Sequence, residues 1–181
     1  ISLPKVFLVT ALISLNCNYI LNASDSHLIY AVKETPQVKI NGNADDPAIW
    51  INKTNIEDSI VFGTDKYNGI YSYDLNGNIL GFSKSGSMNN IDLRSINNKT
   101  YIFATDSSTN TINLWVYGDA ELDRSSKAGK FSLRNNPDFS SDTNFLAYGA
   151  CAGISEDFGL IVFVTEAKGP RVQLWSFKDE K

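Results

Sequence analysis

Histidine is nearly absent from this chain, and its scarcity excludes several kinds of chemistry. Among the 181 residues the one histidine is His27, so Ser-His-Asp catalysis lacks its base. Histidine-phosphate chemistry and zinc sites built from histidine are excluded for the same reason. No Gly-x-x-x-x-Gly-Lys-Ser/Thr segment occurs, so a P-loop nucleotide site is not supported. Any catalysis must therefore depend on metal, carboxylates, lysine, arginine and tyrosine.

Cysteine is also scarce. Cys17 and Cys151 are the two cysteines of the chain, and Cys17 lies just after an N-terminal apolar run. If that segment is removed, Cys151 is alone and no disulfide can form within the mature chain. Asp157 stands six positions after Cys151, where a cysteine-phosphatase loop carries arginine, which argues against that loop.

Positive charge is low and scattered. The net charge is -4 and the isoelectric point about 4.9, with no basic run. Nucleic-acid binding normally requires clustered lysine and arginine, so it is disfavoured. An acidic protein that binds anions needs bound cations or locally placed lysine and arginine.

The N-terminal apolar run is too short to span a membrane. Lys5 precedes apolar residues 6–15, and small or polar residues 22–26 follow. This order is typical of a secretory signal, whereas a transmembrane helix needs about 20 apolar residues. The sequence predicts a signal peptide over 1–26, a mature domain over 27–181, no membrane span, and a secreted or periplasmic protein. Lipid anchoring at Cys17 is an alternative, although Ser14-Leu15-Asn16 is a poor lipobox.

One hairpin pattern occurs three times in the mature chain. Each unit has a strand containing phenylalanine, a short turn and a second strand ending in an aromatic residue; the units cover 61–73, 102–115 and 162–175. Such a repeat is typical of a β-propeller with one sheet per blade, and propellers close with roughly four to eight blades. Three unrelated hairpins are the alternative. The sequence predicts an all-β chain with about three blades, with residues 118–144 forming loops.

The strands that precede these hairpins are predicted to be the innermost strands of the blades. They cover 48–51, 91–96 and 148–154. Their N-terminal ends would line the central opening on one face, where propellers usually bind ligands. The residues at those ends are Asp45, Asp46, Asn89, Asn90 and Tyr148.

Two short segments at these ends carry oxygen ligands suited to a hard cation. Asp45-Asp46-Pro47 places two carboxylates side by side, and Asn89-Asn90-Ile91-Asp92 adds amide, backbone and carboxylate oxygens. Neighbouring carboxylates repel unless a cation or hydrogen-bond donors hold them, and Ca²⁺ and Mg²⁺ prefer such ligands. Solvated turns are the alternative for both segments.

Two cations near these segments could bind phosphate. Lys66 follows the strand that ends in Thr64-Asp65, and Arg94 lies on the second inner strand. Arginine binds phosphate through a two-pronged fork, and lysine as a point charge. Either residue could instead be an ordinary surface cation.

Several motifs together resemble the β-propeller phytases. They are Asn43–Trp50, Gly63–Lys66, Gly69–Gly77 and Asn89–Arg94, and their order and spacing match over roughly residues 31–178. The chain is similar to the first half of that family's six-bladed propeller. The resemblance implies Ca²⁺-dependent hydrolysis of phytate (myo-inositol hexakisphosphate), with calcium bridging the substrate phosphates.

The resemblance also implies roles for individual residues. Calcium would bind at Glu34, Asp46, Pro47 and Ile91, the last two through backbone oxygen. Lys66, Arg94 and Tyr148 would be catalytic, and Asn89, Asn90 and Lys66 would bind substrate.

Three positions depart from the family pattern. Gly42-Asn43-Ala44 lacks the first aspartate of the family's acidic motif, and Ala104-Thr105-Asp106-Ser107 lacks a phosphate-binding arginine. Lys168 stands one position away from the lysine of the family's Gly-Lys-Glu-Gly segment.

These departures leave three hypotheses open. The first is a secreted phytase represented here by a fragment. The second is a non-catalytic, incomplete phytase domain that captures phosphate or substrate, and the third is a propeller that serves protein interactions. The expected partners are phytate or another phosphorylated small molecule, and a C-terminal propeller half or a second phytase domain.

Overall fold

The computed structural model describes residues 30–39 and 41–177. The chain divides into two compact units, Ile1–Ala31 and Val32–Lys181, and the strands that the structure describes lie in the second. The predicted signal peptide, Cys17 and His27 lie outside the described residues.

Three antiparallel sheets follow one another along the chain, each built from strands that pair in sequence order. The first sheet contains β1 (Ala44–Trp50), β2 (Ile60–Asp65), β3 (Gly69–Tyr73) and β4 (Ile79–Ser83). The second contains β5 (Met88–Ile96), β6 (Lys99–Asp106), β7 (Thr111–Gly118) and β8 (Phe139–Asp142). The third contains β9 (Ala147–Ser155), β10 (Gly159–Glu166) and β11 (Val172–Phe177). The prediction of an all-β chain with three propeller blades is confirmed.

The region 118–144 is not the plain loop that the sequence predicted. It contains α1 (Asp119–Lys127) and β8, and a short 3₁₀ turn, Ile56–Asp58, is the other helical element described. Acidic residues in the first turn of α1 and basic residues in its last turn complement the helix dipole. The helix was not predicted from the sequence because only one of its nine residues, Leu122, is buried.

The apolar side chains form two layers between successive sheets. The layer between the first and second sheets includes Phe62, Leu93 and Trp115. The layer between the second and third includes Phe103 and Val162. Each of the two layers contains the phenylalanine of a repeat, Phe62 or Phe103. The repeated phenylalanine is therefore one of the residues through which neighbouring sheets pack together.

A threonine near the end of the second strand of each sheet accepts a hydrogen bond from the first strand of the same sheet. Thr64, Thr105 and Thr165 occupy this position. Their hydroxyl oxygens accept from the backbone N–H groups of Asp46 (3.0 Å), Asn90 (3.2 Å) and Gly149 (3.0 Å), respectively. The three repeats therefore share this polar contact as well as the phenylalanine.

Two of these threonines also reach the next sheet. The Thr64 hydroxyl donates to the carbonyl oxygen of Asn89 at 2.5 Å, and the Thr105 hydroxyl donates to that of Tyr148 at 2.6 Å. Each of these two hydroxyls accepts from an inner strand of its own sheet and donates to the inner strand of the next sheet. It therefore fixes the N-terminal ends of the two inner strands relative to one another.

Candidate functional site

The N-terminal ends of the three inner strands meet, as the sequence predicted. Between the first and second sheets, Asp46 Oδ2 accepts from the backbone N–H of Ile91 at 3.0 Å. Between the second and third sheets, the Asn89 amide nitrogen donates to the Ala147 carbonyl at 3.1 Å. Lys66, in the loop that joins β2 to β3 of the first sheet, reaches Tyr148 of the third sheet. All three sheets thus contribute to one polar cluster.

Lys66 lies at the centre of this cluster. Its Nζ is 3.1 Å from Asp45 Oδ1 and 3.4 Å from the Tyr148 hydroxyl, and it lies 5.2 Å from the centre of the Tyr148 ring. The hydrogen bond to Asp45 is the main cause that raises the pKa of Lys66 above its ordinary value, and the bond to Tyr148 adds to it. The ammonium group is therefore charged at neutral pH, and its side chain stays 23% exposed.

Asp65 fixes the loop that carries Lys66. Its buried carboxylate accepts from the backbone N–H groups of Asn43 (3.0 Å) and Tyr67 (3.1 Å) and from the Asn68 amide (2.9 Å). Burial by itself would raise the pKa of Asp65, but these hydrogen bonds outweigh it and lower the pKa. The carboxylate therefore stays ionised, and it binds the loop residues Tyr67 and Asn68 as well as Asn43, which precedes β1.

Asp46 and Ile91, two of the predicted calcium positions, are in direct contact. The bond from the Ile91 N–H occupies Asp46 Oδ2, and no partner is seen for Oδ1 among the described residues. Pro47 follows Asp46 on β1. These three residues bring one carboxylate and nearby backbone oxygens to one place.

The described residues do not form a complete calcium site. Ca²⁺ takes six to eight oxygen ligands, and no cluster of three or more histidine, cysteine, aspartate or glutamate side chains occurs in residues 30–39 and 41–177. Asp45 is paired with Lys66 instead. The Glu34 backbone lies beside Gly77, at the end of the first sheet opposite Asp46. The structure thus places Asp46, Pro47 and Ile91 together and Glu34 apart from them.

Arg94 is not brought to Lys66. Its guanidinium donates to Asp92 Oδ1 at 2.7 Å and to the Leu93 carbonyl at 2.5 Å. Four positions separate it from Asn90 along β5, about 13 Å at the rise of a strand. Its predicted catalytic role therefore requires a ligand that extends well beyond the cluster.

The two predicted amide ligands differ in their surroundings. Asn89 is 5% exposed and donates its side-chain amide to Ala147, so this group joins sheets and is not open to a ligand. Asn90 is half-buried, and its backbone N–H is bonded to Thr105. Of the two, Asn90 is better placed to meet a substrate.

The sequence reasoning missed the structural roles of Asp45 and of the threonine-acid pairs. Asp45 is the ion-pair partner of Lys66, which lies in the loop after β2. The pairs are Thr64-Asp65, Thr105-Asp106 and Thr165-Glu166. Their recurrence at the same point of each repeat was the signal that could have identified them.

The fold is that of a β-propeller, and a charged cluster lies where the N-terminal ends of its inner strands meet. The sequence model of the Phytase family matches residues 2–137, and the chain belongs to this family. The resemblance seen in the motifs is thereby confirmed.

A curated relative supports the same family. Over 82 residues the chain is 37% identical to the 3-phytase of Bacillus subtilis (strain 168). The aligned segment covers 45% of this chain and 21% of the relative, so the part of the chain that aligns spans about a fifth of that protein's length. Within the described part of the chain, no helix is long and apolar enough to cross a membrane.

Proposed function

We propose that this chain binds a phosphorylated small molecule of the phytate class at the Lys66–Tyr148 cluster and takes part in phosphomonoester hydrolysis. The observation that carries the proposal is the partly exposed Lys66 ammonium group, held between Asp45 and Tyr148 at the junction of the three sheets. Membership of the phytase family and the 3-phytase relative supply the reaction class.

The hydrogen-bond directions suit an anion. Lysine has three N–H donors, and two of them point to Asp45 and Tyr148. The third is available to a phosphate oxygen. Because the Tyr148 oxygen accepts from Lys66, its own O–H can donate to the same phosphate. Asn90 precedes Ile91, whose N–H donates to Asp46, and its side chain would supply a further amide donor.

In hydrolysis, water adds to phosphorus, the bond from phosphorus to the inositol oxygen breaks, and a proton passes to that leaving oxygen. Lys66 and Tyr148 would stabilise the negative charge on the phosphoryl oxygens. Calcium dependence belongs to this proposal, since Asp46 with the backbone oxygens of Pro47 and Ile91 supplies hard ligands for part of such a site. When bound, calcium would neutralise phosphate charge and lower the pKa of a bound water.

A second candidate is capture of phosphate or substrate without hydrolysis. It is favoured by the position of Arg94, which is paired with Asp92, and by the use of the Asn89 amide between sheets. A binding function needs Lys66 and Tyr148 but not these two residues.

Phosphate release from phytate, measured with and without calcium, tests hydrolysis. In a complete propeller that contains this chain, the wild type and Lys84→Ala, a change at an exposed lysine just after the edge strand β4, are expected to release phosphate, and Lys66→Ala to lose at least about 90% of the rate. Binding of phytate without release would support capture, and release that is unchanged in Lys66→Ala would contradict the proposed site.

Secretion or export to the periplasm, and association with a C-terminal propeller half or a second phytase domain, are part of the same proposal. The predicted leader over 1–26 supports export. The limited share of the relative that aligns, 21%, supports a further propeller partner. Detection of the chain in the cytosolic fraction alone would contradict export.

A further inference from the structure

The contact between Lys66 and Tyr148 joins the first and third sheets, which both pack against the second. Lys66 follows β2 of the first sheet, and Tyr148 lies on β9 of the third. The hydrogen bond from the Lys66 Nζ to the Tyr148 hydroxyl is 3.4 Å long, beyond the usual range for N–H···O bonds. A small displacement of Tyr148 would therefore break this contact.

The position of the Tyr148 side chain depends on its backbone. This side chain is 44% exposed, and the centre of its ring lies 5.2 Å from the Lys66 ammonium group. A side chain that is this open has few packing contacts to fix it. The place of the Tyr148 backbone therefore decides whether its hydroxyl reaches Lys66.

Two buried side chains of the second sheet hold that backbone. The Thr105 hydroxyl donates to the Tyr148 carbonyl oxygen at 2.6 Å. The Asn89 amide donates to the carbonyl oxygen of the preceding residue, Ala147, at 3.1 Å. Two successive carbonyl groups of the third sheet are thus fixed from the second sheet.

Thr105 also holds the backbone of a second residue of the candidate site. Its hydroxyl oxygen accepts from the Asn90 N–H at 3.2 Å, and Asn90 is the amide better placed to meet a substrate. Thr105 itself is fully buried, so it does not touch a ligand. Any effect of Thr105 on binding must therefore pass through Tyr148 and Asn90.

The equivalent threonine of the first repeat shows what is particular to Thr105. Thr64 also bonds within its own sheet and to the next sheet. The carbonyl that it binds belongs to Asn89, whose side chain is buried between sheets. The carbonyl that Thr105 binds belongs to Tyr148, whose side chain meets Lys66 at the surface.

We propose that Thr105 is a positioning residue of the phosphate-binding cluster, because its hydroxyl holds Tyr148 within reach of Lys66 and fixes the backbone of Asn90. The inference rests on the proposed function, since it takes phosphate as the ligand of Lys66 and Tyr148. Without the hydroxyl, the Tyr148 carbonyl and the Asn90 N–H lose a buried partner, and the two inner strands are no longer tied at this point. The long bond between Lys66 and Tyr148 is then lost, and the phosphate keeps fewer aligned donors.

Calorimetric titration of phytate into the full 181-residue chain tests the proposal. Thr105→Val keeps the branched shape of the side chain and removes the hydroxyl, so it should raise the Kd at least about fivefold. Thr105→Ser keeps the hydroxyl and should stay within about twofold of the wild type. If Thr105→Val does not fold, Thr105→Cys takes its place and should change the Kd in the same direction, because a thiol is a weak donor.

Thr100→Val is the matched control for a loss of stability. Thr100 is also fully buried on β6, and its hydroxyl is bonded to Ser95 (2.8 Å) and Asp119 (2.6 Å) at the other end of the strand. Its replacement should lower the free energy of unfolding as Thr105→Val does, but it should leave the Kd for phytate unchanged. Urea unfolding of both variants provides the comparison of stability.

A double-mutant cycle with Tyr148→Phe shows whether Thr105 acts through Tyr148. Tyr148→Phe removes the hydroxyl that meets Lys66 and should itself raise the Kd. Because that hydroxyl is then absent, adding Thr105→Val should raise the Kd by less than about a further twofold. Losses that simply add would show that Thr105 acts independently of Tyr148 and would overturn the proposal.

The same titrations separate failure of this inference from failure of the proposed function. If Lys66→Ala and Tyr148→Phe weaken binding but Thr105→Val does not, or weakens it no more than Thr100→Val, the inference alone is wrong. If Lys66→Ala and Tyr148→Phe both leave the Kd unchanged, the proposed site is wrong and the role of Thr105 is refuted with it.

Discussion

Buried aspartates hold the turns at the ends of the repeated hairpins. Asp65 is fully buried and Asp106 is 4% exposed. Asp106 accepts from the backbone N–H groups of Ser87 (3.2 Å) and Ser108 (2.8 Å), as Asp65 does from Asn43 and Tyr67. At the residue scale, these carboxylates supply acceptors for backbone groups that a turn would otherwise leave unpaired.

Asp65→Asn is expected to lower the free energy of unfolding by about 1–3 kcal/mol at pH 7, because the charged acceptor is lost. The pKa of Asp65 is lowered in the folded state, so its contribution to stability is present above the ordinary carboxyl pKa of 3.8. It is lost as the pH falls through the lower folded value. The free energies of unfolding measured in urea for the wild type and the variant should therefore differ clearly at pH 7 and less below pH 3.8.

Glu57→Gln, a change at an exposed residue of the 3₁₀ turn, serves as the control and should leave the unfolding midpoint nearly unchanged at both pH values. A difference between wild type and Asp65→Asn that is the same at neutral and acidic pH would show that the charge of Asp65 does not stabilise the fold.

Asp46→Asn is expected to weaken calcium binding in a complete propeller that carries these residues, and Asp45→Asn to have a smaller effect. Asp46 adjoins Ile91, whereas Asp45 is paired with Lys66. Because a ligand that binds only the folded state stabilises it, the rise in melting temperature with calcium should shrink for Asp46→Asn. Equal calcium titration midpoints for wild type and Asp46→Asn would refute Asp46 as a ligand.

At the scale of secondary-structure elements, the repeated hairpins and the inner strands β1, β5 and β9 that precede them were predictable, whereas α1 and β8 were not. Alternating apolar residues and turn residues predicted β2 with β3, β6 with β7, and β10 with β11. The pair Asn97-Asn98 between β5 and β6 is a turn signal of the same kind, and both residues have the positive φ, 53° and 61°, that a tight hairpin requires. The helix α1 and the polar strand β8 were missed, because few of their side chains are buried and tertiary contacts stabilise them.

The threonine contacts between sheets give an element-scale prediction. Thr64→Val is expected to lower the free energy of unfolding by about 2–4 kcal/mol, because the Asp46 N–H and the Asn89 carbonyl lose their partner in a buried place. Thr64→Ser keeps the hydroxyl and should lose less.

Chemical unfolding measures both variants, and Thr109→Val at an exposed turn residue is the control. If Thr64→Val and Thr64→Ser were equally stable, the loss would arise from packing, and the hydroxyl would not link the sheets.

At the scale of the whole molecule, the sequence predicted where the candidate site lies better than it predicted the members of that site. The repeat placed the inner-strand ends together, and Lys66, Asp46, Ile91 and Tyr148 are found there. Glu34 lies elsewhere because its position depends on how an extended segment crosses the first sheet. Such packing leaves no periodic trace in the sequence.

The 181-residue chain is expected to release phosphate from phytate weakly or not at all, compared with a complete propeller that contains it. The described residues supply only part of a calcium site, and Arg94 is paired away from Lys66. Initial rates at saturating phytate and calcium provide the comparison. Robust, EDTA-sensitive release by this chain alone would show that no further ligands are needed.

The central claim is that Lys66, held by Asp45 and Tyr148, binds the phosphate group of the ligand. Calorimetric titration of phytate into wild type, Lys66→Ala and Lys84→Ala tests it most directly, because binding is measured whether or not hydrolysis follows. Lys66→Ala should raise the Kd at least about tenfold, since a charge-assisted hydrogen bond is lost, and Lys84→Ala should match the wild type. An unchanged Kd for Lys66→Ala would contradict the claim.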